Sequence, residues 1–348
     1  MRYRIIKYIA MLSIVPVLAG CYDRTETEDR RYVVLMGIDS GENKNLLSMD
    51  FDILGDNGDY VFSIGEAKLE NAIEKDSEEQ ITTVVAENTF PEMKKLADKH
   101  SDRKIYFGQL KAAVLAADIA SDKDRLLETV YNIERMEDIN TKVVVFASEG
   151  FASDTVETVM KNDEKGGLYL WDYYRNNYGN EDEYMDFEKL VKYLREEETF
   201  ILPRLVTDGD EVTVSGGMVI KNGEYVGRVN DEDINGIKWF KGKAKGELIS
   251  IDGISAIIKK ENVDIGLENG VGIVSVKAYC AIESGDSEDT NYWEEKLETV
   301  IKNKMENTIN KARDLNADFI GITNDGILGS RGYKLDVDVK IISTGIIK

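Results

Sequence analysis

The chain has two cysteines, and the setting of the first decides what the fold can use for stability. Arg2, Arg4 and Lys7 form a short positive stretch, residues Tyr8 to Leu18 are apolar, and Leu18-Ala19-Gly20-Cys21 follows. A run of this length is too short to cross a bilayer, which needs roughly 20 residues. It fits the hydrophobic region of a secretory signal peptide, and Pro16 would break a helix passing through it. The small residues Ala19 and Gly20 suit extended docking in a peptidase cleft. Cys21 stands where a lipoprotein pathway adds a diacylglyceryl group. The reading is a lipoprotein signal peptide over residues 1–20 and a lipidated Cys21; an ordinary signal peptide with an incidental cysteine is the alternative. Cys280 then remains as the one thiol of the folded body, so no internal disulfide is expected and stability must come from core packing. Its surroundings, VGIVSVKAYCAIES, read as a buried strand, not as the site of a nucleophile.

The remaining 327 positions after Cys21 can build two or three domains, and hydrophobic residues at 42% of the chain are ample for a core. No second run approaches the length of a membrane span. The net charge is −22, and the first twenty residues carry three bases and no acid, so their removal leaves −25. A chain of this sign makes no basic footprint for nucleic acid, and an anionic membrane surface repels it. Membrane residence would have to come from lipid on Cys21 and from protein partners.

Along the body, YDRTETEDRR (22–31) reads as a charged tether within an expected 21–31 linker. YVVLMGIDS (32–40), NLLSMDFDIL (45–54) and the segment around Tyr60 read as strands. Residues 81–100 read as a strand and a helix, with Thr89 as cap, Pro91 in the first turn and Glu92 completing a capping box. Residues 103–120 give a strand and a short helix. Leu126, Leu127, Val130 and Ile133 follow helical spacing in 123–136, and TKVVVFAS (141–148) is a further buried strand. Residues 151–207 look helical and include an aromatic piece with Tyr169, Trp171, Tyr173, Tyr174 and Tyr178, read either as a helix end packed between domains or as an exposed stacking surface. Asn222-Gly223 marks a hairpin. DEDING (231–236) imitates the start of a calcium loop, but position twelve is Gly242 where a bidentate Glu is needed; it is read as a turn leading to a short helix near Trp239. The clearest helix runs from Tyr292 to Phe319, with Leu297, Ile301, Met305, Ile309 and Ala312 on one stripe and Glu298–Lys302 as an i,i+4 pair on the polar side. It is expected to lie across an antiparallel sheet ending in residues 334–345.

Catalytic motifs are scarce. The chain has no Gly-rich phosphate loop, no G-x-S-x-G elbow and no HExxH. His100 is the only histidine, in a charged segment, so a His-rich metal site or a Ser-His-Asp triad is not expected. Asp52, Asp56 and Asp59 share a turn and offer at most a weak cation site. The residues support a binding or assembly protein, with no enzyme activity, cofactor or metal expected.

Several segments, taken in order behind Cys21, resemble the Ger(x)C family, the lipoprotein C subunits of bacterial spore germinant receptors. GCYDRTETEDRRYVVLMGID (20–39) is similar to the family's Gly-Cys-Trp-Asp-Arg opening and Gly-Ile-Asp strand end, with Tyr22 in place of Trp. AENTFPEMKKLADKHSDRKIYFGQLKAAVLAADIA (86–120) is similar to its helix and following strand; Gln109 stands where the family commonly has histidine. LPRLVTDGDEVTVSGGMVIKNGEYVGRVNDEDINGIKWFKGK (202–243), NKARDLNADFIGI and KIISTG complete the match. The resemblance implies an α+β, multi-domain fold with mixed or antiparallel sheets and packed helices, in a Ger(x)C-like three-domain arrangement. The expected division is 32–155, 156–250 and 251–348. It also implies a non-catalytic subunit beside integral membrane A and B subunits, at the outer face of the spore's inner membrane, in a complex that responds to small nutrients. Cys21 is the one functional residue that carries over, as the lipidation site. The alternative is an extracytoplasmic solute-binding lipoprotein with an interdomain cleft near Trp171 and Tyr173.

Overall fold

The computed structural model describes residues 30–42, 53–55, 58–67, 82–162, 166–178, 185–285, 289–322 and 332–343. The segment read as a signal peptide, Cys21, residues 22–29 of the expected tether, Asp52 and Asp56 lie outside them, whereas Arg30 and Arg31, read as tether, begin the first strand. Fourteen strands in two sheets and eight helices are described, a mixed α+β architecture.

The first sheet has the order β10-β9-β8-β7-β6-β1-β3-β4-β2, with β5 (Lys104–Tyr106) pairing β1 (Arg30–Ser40) beyond that path. Its centre is parallel: β1, β6 (Ala112–Leu115), β7 (Val144–Ser148) and β8 (Thr199–Asp208) run side by side in one direction. Parallel strands covered on both faces read as continuous apolar runs, which is how VVLMGI, AAVL and VVFA appear in the sequence. Alternate residues serve opposite cores. Ala113, Leu115 and Val145 join a cluster built with α1 (Phe90–Lys99), α2 (Ala117–Ser121), α3 (Lys123–Glu134) and α6 (Phe187–Arg195). Ala112, Val114, Val144 and Phe146 join one built with α4 (Ala152–Asn162) and α5 (Gly166–Tyr178). The flanks are antiparallel: β3 (Tyr60–Glu66) and β4 (Thr82–Glu87) on one side, β9 (Glu211–Lys221) and β10 (Glu224–Val229) on the other. The short β2 (Ile53–Leu54) pairs β4. Asn222 and Gly223, both at positive φ, turn the β9–β10 hairpin.

Thr89 caps α1 as read, its Oγ1 accepting the Glu92 N–H at 3.4 Å, but the Glu92 carboxylate accepts from that hydroxyl at 2.9 Å in place of the backbone bond of a capping box. Asp122, Asp186, Asn230 and Asp289 cap α3, α6, α7 (Asp231–Phe240) and α8 (Thr290–Asp314) in the same way. A side-chain acceptor there satisfies an amide that has no partner within the helix.

Three expectations change. DEDING is not a turn before a helix: it forms the first turns of α7 itself, closed by a reciprocal capping box between Asn230 and Asp233 at 2.8 and 3.0 Å. Gly236 is required there because a Cβ would sit 1.9 Å from Thr308 Oγ1 on α8. The aromatic helix α5 packs on the first sheet: Leu170 and Tyr174 are buried, with Tyr174 edge-on to Phe146 at 5.3 Å. The second sheet, β11-β12-β13-β14, is mixed. β11 (Leu248–Ile251), β12 (Ile254–Glu268) and β13 (Val271–Ser284) are antiparallel, but β14 (Tyr333–Ser343) is parallel to β13. The long helix causes this, since a strand–helix–strand crossover returns the chain to the end it started from. Sheet membership changes between β10 and β11, whereas 155/156 falls within α4 and 250/251 within β11.

The helix stripe is as read: Leu297, Ile301, Met305, Ile309 and Ala312 are buried against Val274, Val276 and Val339. Glu298 departs from its expected pairing. Its carboxylate accepts the N–H of Val339 at 3.0 Å, and Glu294, one turn earlier, accepts that of Ile341 at 2.8 Å and pairs with Lys340 at 3.1 Å. These amides lie on the side of β14 away from β13. Helix α8 therefore covers a sheet edge that would otherwise invite another strand. Replacing both glutamates by Ala is expected to lower unfolding free energy by about 3 kcal/mol, the scale of two hydrogen bonds to charged acceptors. Lys302→Ala should stay within about 0.5 kcal/mol as an ordinary surface change. Chemical denaturation compares the two; equal losses would restore the i,i+4 pairing.

Candidate functional site

Two places combine chemistry with a position that the fold holds firmly. The first is the entry of the chain into the sheet. Arg30 lies over the Tyr106 ring at 4.4 Å, and Tyr32 meets the same ring edge-on at 5.9 Å. Arg31 pairs with the buried Glu66 and donates to Ser101 Oγ at 3.3 Å. From there β1 is buried to its end. At Gly37 a Cβ would lie 2.9 Å from Val156 and 3.0 Å from the Ala152 carbonyl, so only glycine lets α4 approach. Two residues on, the buried Asp39 accepts the N–H of Ala152 at 2.7 Å and of Ser153 at 2.9 Å. One carboxylate thus caps a helix more than a hundred residues away. Burial pushes its pKa up to about 7, opposed by the two amide donors and assisted by the charge of Asp118. Ser40 and Glu42, at the strand's end, both bind Arg125 of α3, Glu42 at 2.7 Å. The Gly-Ile-Asp strand end is therefore a joint between β1 and α4.

The second place is a cleft of about 180 Å³ between β8 and β9 of the first sheet and helices α6 and α7. Lys189 from α6 and Lys238, Lys241 and Lys243 from α7 and the turn after it line it, over apolar ground that includes Phe200 and Phe319. The sequence shows Lys238, Lys241 and Lys243 as a short run, but nothing in it brings Lys189 to them. Tyr174 lines the cleft, whereas Trp171 and Tyr173 pack with the α5 cluster; Arg175 stacks on Trp171 at 4.3 Å, and Tyr169 sits 6.1 Å from Tyr173.

The remaining candidates are kept apart. Cys280 is fully buried in β13, and burial pushes its thiol up to about 12, so it is held as the inert thiol. His100 is an exposed residue closing α1, on the other unit. Gln109 is exposed in the turn before β6. Among the described residues no three His, Cys, Asp or Glu side chains cluster as metal ligands, and no helix is long and apolar enough to cross a membrane.

A two-sheet α+β chain with this order of elements is a known class. The family model of the spore germination protein N-terminal domain matches residues 23–207, more than half of the chain, and that of the spore germination B3/GerAC-like C-terminal domain matches 215–325. The crystal structure of the GerBC protein superposes with a TM-score of 0.54 at 14% identity, covering 81% of this chain and 93% of that one. The chain belongs to the Ger(x)C family of spore germination proteins. A comparison with curated protein sequences returned no match.

Asp39 yields a pH prediction. Its folded value lies above the ordinary carboxylate value of 3.8, so the native state holds the proton more tightly. Its contribution is therefore greatest below about pH 4 and is lost as pH rises to about 7, by up to about 4 kcal/mol. Denaturation at pH 4.5 and 7.5 should show a smaller difference between the two conditions in Asp39→Asn than in wild type; an unchanged difference would assign the dependence elsewhere. Gly37→Ala should cost about 1–3 kcal/mol by overpacking against α4, read in the same melts.

Proposed function

We propose that the chain is the non-catalytic C subunit of a spore germinant receptor, anchored by lipid on Cys21 at the outer face of the spore's inner membrane and assembled with the integral membrane A and B subunits. The observation that carries this is the order of matches: the two family models run over 23–207 and 215–325, directly behind Leu18-Ala19-Gly20-Cys21. Charge supports the anchor. A body at −25 gains nothing from an anionic leaflet, and a single acyl chain binds only marginally where two hold firmly. Eight residues (22–29) lie between Cys21 and Arg30, the first residue of β1, and the nine steps from one to the other span at most roughly 30 Å. The start of β1 then stays within that distance of the lipidated residue, which raises the body's effective concentration for membrane partners. In this reading nutrient signals reach a scaffold and not a catalyst.

Cys21→Ala tests the anchor. The variant should lose labelling by palmitate and leave the membrane pellet in cells lacking the A and B subunits. In spores with those subunits, germination through this receptor should fall at least about tenfold. A variant that still sediments with membranes in the absence of both subunits would refute the lipid anchor. A fully soluble variant with normal germination would refute its role.

A further inference from the structure

We propose that the outer edge of β12 is a dimer interface, on which a second copy of this chain adds its own β12 about a two-fold axis at Asp264. Strand β11 pairs with β12 only from Ile254 to Ile257, and the turn before β11 adds two backbone bonds to Ile258, at 2.9 and 2.8 Å. Strand β12 runs on from there to Glu268. Among the described residues no backbone bond reaches this stretch from the outer side; the one contact is the Glu261 carboxylate, which accepts the Lys245 N–H at 3.1 Å. The hairpin fixes which groups are free. Asn269 and Gly270, both at positive φ, make a two-residue turn closed by the Glu268–Val271 pair. Alternation then turns the N–H and C=O of Leu267, Ile265 and Val263 away from β13. Ile258 has the opposite parity because of the bulge between it and Lys260. An unpaired edge of this kind is a template for another strand.

The edge is complementary to itself. With Asp264 on the axis, Lys260 of each copy faces Glu268 of the other, and Val263 of each faces Ile265 of the other. Lys260 and Glu268 are exposed and form no ion pair among the described residues, whereas Lys259 is held by Glu283 at 2.9 Å. Val263 and Ile265 are half-buried against the core that α8 covers, and Leu267 beyond them is 53% exposed, so a second strand covers apolar surface as well as free amides. A register shift of two residues either way sets Lys260 opposite a glycine, Gly266 or Gly270. A shift of one turns the apolar side chains to the wrong face. The cost of this register is that Asp264 faces its twin. Lys277, opposite Asn262 on β13, is the diagonal neighbour of Asp264 and sets a cation beside each carboxylate. Such a two-fold contact is closed, and the sheet's other edge, β14, is covered by α8 through Glu294 and Glu298. Assembly through this sheet therefore stops at two copies. The proposal depends neither on the receptor assignment nor on Cys21.

Sedimentation equilibrium of the full chain in density-matched neutral detergent, with micelles in molar excess, should show a monomer–dimer equilibrium and no larger species. Asp264→Cys should cross-link copy to copy under mild oxidation, because directly opposed residues that are not hydrogen-bonded lie about 4.5 Å apart at Cα, within reach of a disulfide. Asp336→Cys, exposed on β14, should not cross-link above the wild-type background. Lys260→Glu should weaken the dimer at least about tenfold, and adding Glu268→Lys should restore it to within about threefold, a rescue that damage to the fold cannot imitate. Val263→Pro removes an outward N–H, a change that edge strands tolerate, and should give a monomer with native circular dichroism. A chain that stays monomeric at about 100 μM, assemblies larger than two, or a dimer indifferent to Lys260→Glu and Val263→Pro would overturn the proposal.

Discussion

Two amides of one helix donated to one buried carboxylate fix the geometry of the first unit. Asp39 ends a strand that is hydrogen-bonded on both edges, so its position is set by β3 and β6 before α4 arrives. Helix α4 then spans the sheet, packing on β1, β3, β6, β8 and β9. A helix across so many strands can slide unless its start is pinned. The carboxylate supplies the pin, and Gly37 supplies the close approach. The cost is a buried acid, which the two donors offset only partly, hence the raised pKa. The arrangement also explains why burial alone cannot be read as function at this position. Asp39 has a perturbed pKa, but both its oxygens are taken up by the Ala152 and Ser153 amides, and its geometry is that of a cap.

The second unit solves a different problem. Its last strand joins parallel to β13 and leaves one edge open, and the crossover helix that places it there also closes it, through Glu294 and Glu298. Helix α7 then ties the two units. It packs on β9 of the first sheet and on α8 of the second, with Gly236 allowing near contact at Thr308. Val219 and Val229 of the first sheet share a core with Trp239 and Ile249 beyond it. The lysine-lined cleft lies beside α7, with Lys238 in its last turn and Lys241 as its C-cap.

Much of the fold is legible in the sequence where local rules and burial agree. VVLMGI, AAVL and VVFA could only be strands buried on both faces; Thr89-x-x-Glu92 could hardly fail to cap; the Leu297 to Ala312 stripe had one way to face. Most of what could not be read there depends on separations of about forty residues or more. Glu298 has a local partner in Lys302 and a distant one in Val339 N–H, and periodicity favours the local one. The distant one prevails because an edge amide lacks another acceptor whereas an exposed lysine has water. DEDING reads as a turn before a helix because Asp, Asn and Gly are turn formers, yet Asn230-x-x-Asp233 is an equally plain helix start. At the candidate sites, the Gly-Ile-Asp motif was visible but not its role, since its partner is α4. Cys280 was read as a buried strand residue from its flanks alone, and it is one.

Charge and topology together suggest how such a body could sit beside a bilayer it would otherwise avoid. The net charge acts over distances set by salt, and at physiological ionic strength that is about 8 Å. A tethered body is therefore sensed by the membrane through whichever of its faces is near, not through its total of −25. The parallel core places the start of β1 and the start of β8 at one end of the first sheet. Arg30, Arg31 and Lys104 belong to the first of these places and the lysine cleft to the second. A chain tied down at its N-terminus would present this end first. Orientation would follow from sheet direction, a property of the fold, and would survive changes in surface charge elsewhere.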